Sequence, residues 1–228
     1  MASQTPCKTP FDIVDEVRQH LQQAPTTYDR WEELIAQFRR KIEREIRPSI
    51  DGNGDKSLVS LQNTLQAFGY VCFGRKRLER VKIVWEGSGD MDGKYGHSQR
   101  RDDGGVLIEV NPEPFAVSES GRESRLFGTS KTDSTLSTMA HEAIHALLLL
   151  DECSHDGRPC RETWVQQEGN CGHGAAFCRI AALVQETVRG HNLWHIDLDF
   201  SALVEKHLRD DPGNYLDAET VKMCFPSN

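Results

Sequence analysis

The sequence predicts an α+β fold in which helices precede and follow a small, mostly antiparallel sheet. Three observations lead to this prediction: apolar residues recur at helical spacing in the first third of the chain, two short β-branched runs occupy the middle, and helical spacing returns from residue 134 onward. A chain of 228 residues is long enough for one well-buried domain with extensions, and this is the organisation that we predict.

Three helices are predicted before the sheet. The first is short and amphipathic and ends at Pro25, because proline lacks the backbone N–H that a helix interior requires. The second is capped by Thr26 or Thr27, carries one apolar stripe and ends before Pro48. The third spans about residues 57–69.

The sheet is predicted from two short runs of β-branched and aromatic residues. These runs are residues 81–85 and 106–110, and a further short strand is expected near residues 94–98. Residues 116–133 are polar and show no periodicity, which predicts a linker before the next helix.

The helix predicted over residues 134–149 contains the motif His141-Glu142-x-x-His145. Side chains four residues apart lie one above the other on a helix, so both imidazoles can bind one metal ion. Glu142 then lies beside the metal, where its carboxylate can carry a proton from a water molecule to a leaving amine. The alternative for the two histidines is hydrogen bonding to backbone carbonyls.

A third histidine follows a long polar loop predicted over residues 151–172. His173 begins a helix that runs to about residue 188, and it precedes the core residue Phe177 by one turn, so it points toward the other helix. Three protein ligands leave one position of a tetrahedral zinc ion open, as in catalytic zinc sites and not in structural ones. The alternative third ligands are His155, His191, His195, Glu168 and Glu186.

These residues predict hydrolysis of an amide by a zinc-activated water molecule, with Glu142 as the proton carrier. The strand at 106–110, as a sheet edge facing the cleft, could hold the substrate backbone as an additional strand. The donors that could stabilise the oxyanion are His155, Arg158, His191 and His195.

A longer pattern links these motifs. It consists of a helix, Gly74-x3-Leu78-x2-Val81-x-Ile83-x-Trp85, a strand, Ser137-Thr138-x2-His141-Glu142-x-Ile144-His145-Ala146 and Gly172-His173-Gly174-x2-Phe177-Cys178. Over roughly residues 30–195 this order resembles the SprT-like zinc metallopeptidase family, which includes Spartan, a DNA-dependent protease that degrades proteins crosslinked to DNA.

The resemblance implies a zincin-like metalloprotease core, with His141, His145 and His173 as Zn²⁺ ligands and Glu142 as the catalytic residue. It also implies DNA-associated proteolysis, as in DNA repair, and a nuclear location. The predicted domains are an N-terminal tail and short helix over 1–25, a SprT-like metalloprotease domain over 26–200, and a C-terminal helical extension over 201–228, with a helix near 199–209.

Composition bears on partners and location. The net charge of −8 argues against a surface dominated by phosphate contacts. No stretch approaches the roughly 18 apolar residues of a membrane helix, and the N-terminus lacks a signal-peptide pattern. We therefore expect a soluble intracellular protein, nuclear or cytoplasmic, that acts on a protein substrate. Two basic clusters could form a local DNA contact: Arg75-Lys76-Arg77 with Arg80, and Arg100-Arg101 beside His97.

The chain has seven cysteines, and without a secretion signal these predict thiols in a reducing compartment. Cys153, Cys160, Cys171 and Cys178 surround the predicted metal region, but they lack the closely spaced pair of a structural zinc site. A second zinc ion and disulfide bonds are the alternatives to ordinary thiols.

Three functions are compatible with these patterns. The first is a zinc-dependent endopeptidase, and the second is a non-catalytic zinc-binding scaffold for a protein or DNA partner. The third is a secreted or injected toxin-like protease with disulfides. Glu142 favours an enzyme, because zinc affinity does not require this carboxylate whereas proton transfer does.

Overall fold

Helices pack against one face of a three-stranded sheet in this α+β protein. The computed structural model describes residues 8–51, 58–74, 78–85, 96–111, 130–152, 158–168, 172–196, 198 and 216–225. The helices are α1 (Pro10–Thr27), α2 (Trp31–Lys41), α3 (Arg47–Asp51), α4 (Leu58–Phe73), α5 (Lys131–Asp151), α6 (Arg158–Glu168), α7 (Ala175–Gly190) and α8 (Ala218–Cys224), and the strands are β1 (Val81–Trp85), β2 (Gly96–Arg100) and β3 (Val106–Val110). The predicted α+β class is confirmed.

The sheet is mixed, so the prediction of a mostly antiparallel sheet is wrong. Its order is β1-β3-β2, with β1 parallel and β2 antiparallel to β3. A tight hairpin joins β2 to β3: the Arg101 N–H donates to the Gly105 carbonyl, and Gly104 has a φ of +73°. This left-handed conformation favours glycine in short hairpin loops. The chain reverses at the hairpin, and β3 therefore returns between the other two strands in the direction of β1.

The strand expected near residues 94–98 is β2, two residues further along the chain. β3 pairs on both sides, so its backbone cannot accept another strand, and the prediction that 106–110 is a sheet edge is wrong. Among the strands that the structure describes, the edges of the sheet are β1 and β2. On β3, Val106, Ile108 and Val110 are buried and alternate with more exposed residues, as expected for a strand with one face against helix α5.

The buried apolar residues form one continuous core. Ile13, Val14 and Val17 of α1 are almost fully buried, and α1 contacts α4 and α7. The first helix thus belongs to the same core as the helices that carry the histidine motifs. Among the helices that the structure describes, none is both long and apolar enough to cross a bilayer.

Both prolines that were expected to end helices lie within helical segments. Pro25 is inside α1, and the Tyr28 N–H donates to the Ala24 carbonyl, which closes the helix after the proline. Pro48 follows a π-helical turn over Ile42–Ile46, after which the chain continues as α3. The wider turn accommodates a residue without an N–H, whose ring would crowd the carbonyl four residues earlier in a regular α-helix.

Several other boundaries also differ from prediction. α2 begins after Arg30 without a side-chain cap, so Thr26 and Thr27 do not cap it. The long polar loop expected over residues 151–172 contains α6, which packs against α1 and α7. The helical periodicity of apolar residues is weak in α6, because Trp164 is the one buried apolar residue of this helix among the side chains that the structure describes. The helix predicted near 199–209 and most of the predicted linker, residues 116–129, lie outside the described residues.

Candidate metal centre

The helix that carries the first two histidines is anchored at its N-terminus by a polar cluster. Ser130 caps α5, accepting a hydrogen bond from the Asp133 N–H, and the Thr132 N–H donates to Asp51 Oδ1 at 2.9 Å. Asp133, whose side chain is 5% exposed, forms an ion pair with Arg47 at 3.2 Å. Burial lowers the pKa of Arg47, but the hydrogen bonds to Asp133 and Glu43 raise it by more than burial lowers it. The net shift of the pKa is therefore upward. The guanidinium therefore stays charged at the helix start.

Three imidazoles meet at one point between α5 and the start of α7. The Nε2–Nε2 distances are 3.2 Å for His141–His145, 3.1 Å for His145–His173 and 3.1 Å for His141–His173. Nitrogen ligands at roughly 2.0–2.1 Å from a tetrahedral zinc ion stand about 3.3–3.4 Å apart. The observed separations are close to that value, so the three histidines lie close enough together to bind one metal ion.

Phe177 contacts all three histidine rings. Its ring centroid lies 4.9 Å from that of His141, 4.4 Å from that of His145 and 4.9 Å from that of His173. The Phe177 side chain is fully buried on the first turns of α7. It therefore packs against the three imidazoles and gives the site an apolar wall. The sequence predicted only a helix-packing role for this residue.

Glycines bring the third histidine into position. Gly172 has a φ of +69°, a conformation that other residues adopt only with strain, and a Cβ there would lie 3.6 Å from His145 Cε1. Gly174 is the N-cap residue of α7. His173 itself is 6% exposed and lies between these two glycines, where the chain turns from the loop into the helix.

Glu142 is not part of the nitrogen cluster and lies against strand β2. It is 6% exposed, and Ser98 Oγ is 2.6 Å from its Oε2. The strand approaches closely because residue 96 is glycine: a Cβ there would lie 2.7 Å from Glu142 Cγ and 2.8 Å from Thr138 Cγ2. Sequence reasoning did not identify Ser98 or Gly96. No spacing rule connects a strand residue to a helix residue 44 positions later.

The alternative ligands do not join the cluster where the structure describes them. His191 follows the last residue of α7, so it lies at the opposite end of a 16-residue helix from His173, roughly 24 Å away. His195 is near the same end, since Arg189 Nη2 donates to the carbonyl of its neighbour Ile196. This excludes both as oxyanion donors as well as ligands. Exposed Glu186 is likewise absent from the cluster, and His155 and the side chains of Arg158 and Glu168 lie outside the described residues.

The described members of the basic clusters contact neighbouring groups of the protein. Arg100 Nη2 donates to the carbonyls of Leu149 and Glu152 at 2.8 Å, which caps the C-terminal end of α5. Arg101 forms an ion pair with Asp103 at 2.7 Å, and Arg80 donates to the same hairpin. These contacts reduce the charge available for a phosphate. Residues 75–77 lie outside the described part of the chain.

Among the described residues, Cys72, Cys178 and Cys224 are buried thiols. Burial raises the pKa of Cys72, so this thiol stays protonated. Cys178 Sγ lies 3.5 Å from the carbonyl oxygen of His173. The other cysteines of the predicted metal region, Cys153 and Cys171, lie outside the described residues, as does the side chain of Cys160.

Comparison with protein-family models, with curated proteins and with solved structures finds no match for this chain. The chemistry of the site therefore follows from its own geometry. That geometry is a three-histidine cluster with a buried carboxylate on the residue next to one of the histidines.

Proposed function

We propose that this protein is a zinc-dependent endopeptidase with a SprT-like, zincin-type core. The observation that carries the proposal is the convergence of three Nε2 atoms within 3.1–3.2 Å of one another, next to the buried carboxylate of Glu142. Nitrogen donors favour zinc over the hard cations Mg²⁺ and Ca²⁺, which prefer oxygen ligands. Three ligands also leave a position open for chemistry.

In this proposal His141, His145 and His173 hold the metal, which when bound would supply a Lewis acid that lowers the pKa of a water molecule and polarises a substrate carbonyl. Glu142 accepts a proton from that water and passes it to the leaving amine. Burial of Glu142 among helix and strand atoms excludes bulk water from the carboxylate and limits proton exchange with solvent.

The substrate would bind along β2. This strand is an edge of the sheet in the part of the chain that the structure describes, and alternate residues of it lie along α5, with Gly96 and Ser98 at Glu142 and Arg100 at the C-terminal end of the helix. An extended peptide that pairs with the outer backbone groups of β2 would therefore pass close to Glu142. We keep the prediction that the substrate pairs with a sheet edge, but we assign this role to β2 instead of β3.

The proposed setting is intracellular, nuclear or cytoplasmic, with DNA-associated proteolysis as in DNA repair. This part of the proposal depends on the sequence resemblance alone. Because Arg80, Arg100 and Arg101 already contact groups of the protein and the net charge is −8, DNA would have to bind elsewhere or displace these contacts. The experiment therefore measures cleavage both with and without DNA.

The test compares wild type with Glu142→Gln, both loaded with zinc, on a labelled unfolded protein with and without single-stranded DNA. Loss of Glu142 is expected to reduce cleavage by at least about 100-fold, the lower range for a general acid or base. Glu186→Gln on the exposed side of α7 is the matched control and is expected to cleave like wild type. Equal cleavage by wild type and Glu142→Gln would contradict the mechanism, and zinc binding without any cleavage would favour the scaffold hypothesis.

A further inference from the structure

A hydrogen bond connects the edge strand to the Glu142 carboxylate. Ser98 Oγ is 2.6 Å from Glu142 Oε2 and 3.0 Å from the Glu142 carbonyl oxygen. A hydroxyl has one proton to donate, and ionised carboxylate and carbonyl oxygens are both acceptors. The 2.6 Å contact has the length of a charge-assisted O–H···O⁻ bond. Ser98 therefore donates to Oε2 when Glu142 is ionised.

The donor is held on a rigid part of the fold. Ser98 is the central residue of β2 and pairs with Ile108 of the central strand. Two residues before it, Gly96 allows contact with Glu142 and Thr138, and two residues after it, Arg100 bonds to the C-terminal carbonyls of α5. The strand and the helix are thus in contact on both sides of Ser98, which fixes the position of its backbone relative to the carboxylate.

We propose that Ser98 is a positioning residue, which holds the Glu142 carboxylate in the orientation from which it carries the proton from water to the leaving amine. This inference rests on the proposed peptidase function. A glutamate side chain has three rotatable bonds, and proton transfer requires a heavy-atom distance of about 2.6–3.2 Å. A displacement of about 1 Å can cost 100-fold in rate, so orientation by a neighbour on the strand matters to the rate.

The first test is a kinetic comparison of zinc-loaded wild type, Ser98→Ala and Gln99→Ala. Ser98→Ala is expected to lower kcat by about 10- to 100-fold, the effect of losing a partner that orients a metal-ligating residue, with KM within about twofold of wild type. Gln99 is exposed and is the neighbour of Ser98 on the same strand, so Gln99→Ala controls for a general disturbance of β2. Zinc content is expected to stay equal in all three proteins.

The second test does not depend on activity. The urea unfolding midpoint is measured for zinc-loaded wild type, Ser98→Ala, Glu142→Ala and the double variant. If the two side chains interact, the shift in the double variant will be smaller than the sum of the two single shifts. Unrelated structural roles would give additive shifts.

The outcomes separate the two proposals. Three results would overturn the role of Ser98 and leave the peptidase proposal intact. These are a wild-type kcat in Ser98→Ala, an equal loss of kcat in Gln99→Ala, and additive unfolding shifts. A wild-type protein that cleaves no peptide bond under any condition overturns both. A loss of kcat in Ser98→Ala alone, together with non-additive unfolding, supports the inference.

Discussion

Gly96 lies directly against Glu142: a methyl group at residue 96 would stand 2.7 Å from Glu142 Cγ and 3.0 Å from its Oε1. Real Cβ atoms almost never approach another carbon as closely as 2.7 Å, so the strand reaches the helix only because this residue has no side chain. The distance between β2 and α5 at the proposed proton carrier is therefore set by a glycine.

Gly96→Ala is expected to displace either the strand or the carboxylate. Overpacking of this kind costs about 1–3 kcal/mol of folding stability, and movement of Glu142 should lower kcat by at least about 10-fold. The measurements are thermal unfolding and cleavage of a labelled protein. Gly190→Ala is the matched control, since a Cβ at residue 190 meets nothing within 4 Å, and it should leave both quantities close to wild type.

His173→Ala tests the ligand set. Loss of a direct ligand should weaken zinc binding by more than about 100-fold, beyond the 10- to 100-fold that loss of an outer-shell partner costs. It should also abolish most of the thermal stabilisation that zinc provides, which is about 2.7 kcal/mol when free zinc is 100 times its Kd. Titration with a competing chelator and melting curves with and without zinc measure the two effects.

The control for His173→Ala is His195→Ala. His195 is exposed and lies near the opposite end of α7, so its loss should change neither the zinc affinity nor the zinc-dependent melting shift. Unchanged zinc content in His173→Ala would remove this residue from the ligand set and reopen the assignment of the third ligand.

The histidine cluster could be predicted from sequence because its geometry is largely local. His141 and His145 share a helix face through their spacing of four, and His173 precedes α7, a helix that packs against α5. The contacts of Glu142 with Gly96 and Ser98 could not be predicted, because they depend on which strand of the sheet lies beside α5. Strand order is a tertiary property and leaves no periodic signal.

The errors at prolines and loops have a similar origin. Pro48 was expected to end a helix by its local chemistry, but the π-helical turn over Ile42–Ile46 accommodates it. α6 was missed because its apolar face is small, and it is stabilised by contacts with α1, such as the hydrogen bond from the Phe11 N–H to Gln167 Oε1. At Pro48 the geometry of the preceding turn, and at α6 packing against another helix, override the local preference.

The ion pair between Arg47 and Asp133 is expected to contribute to folding stability. Asp133→Ala removes the buried hydrogen-bond partner of Arg47, which keeps its ion pairs with Glu43 and Asp51, so we expect a cost of about 1–3 kcal/mol. Urea denaturation of the two proteins measures the difference. The control is Arg30→Ala, which removes an exposed pair with Glu33 and should cost less than about 1 kcal/mol. A similar small cost for both variants would contradict an anchoring role for Asp133.

Asp217 should make the contribution of the contact between α8 and α7 to folding stability depend on pH. Burial raises its pKa, but hydrogen bonds from Thr220 and from Arg179 lower it more, so the net shift is downward from the ordinary 3.8. The unfolded chain therefore binds a proton more readily than the folded one. The resulting stabilisation is fully present above the ordinary pKa and is lost as the pH falls toward the lower, folded value.

Asp217→Asn tests this directly, because asparagine caps helices about as well as aspartate but has no charge for Arg179. The melting temperatures of wild type and Asp217→Asn should differ most at about pH 6, and the difference should shrink toward about pH 3. Asp15→Asn, which alters an exposed pair with Arg18, should follow wild type throughout. A wild-type advantage that stays constant over this range would mean that the ionisation of Asp217 does not stabilise the contact between α8 and α7.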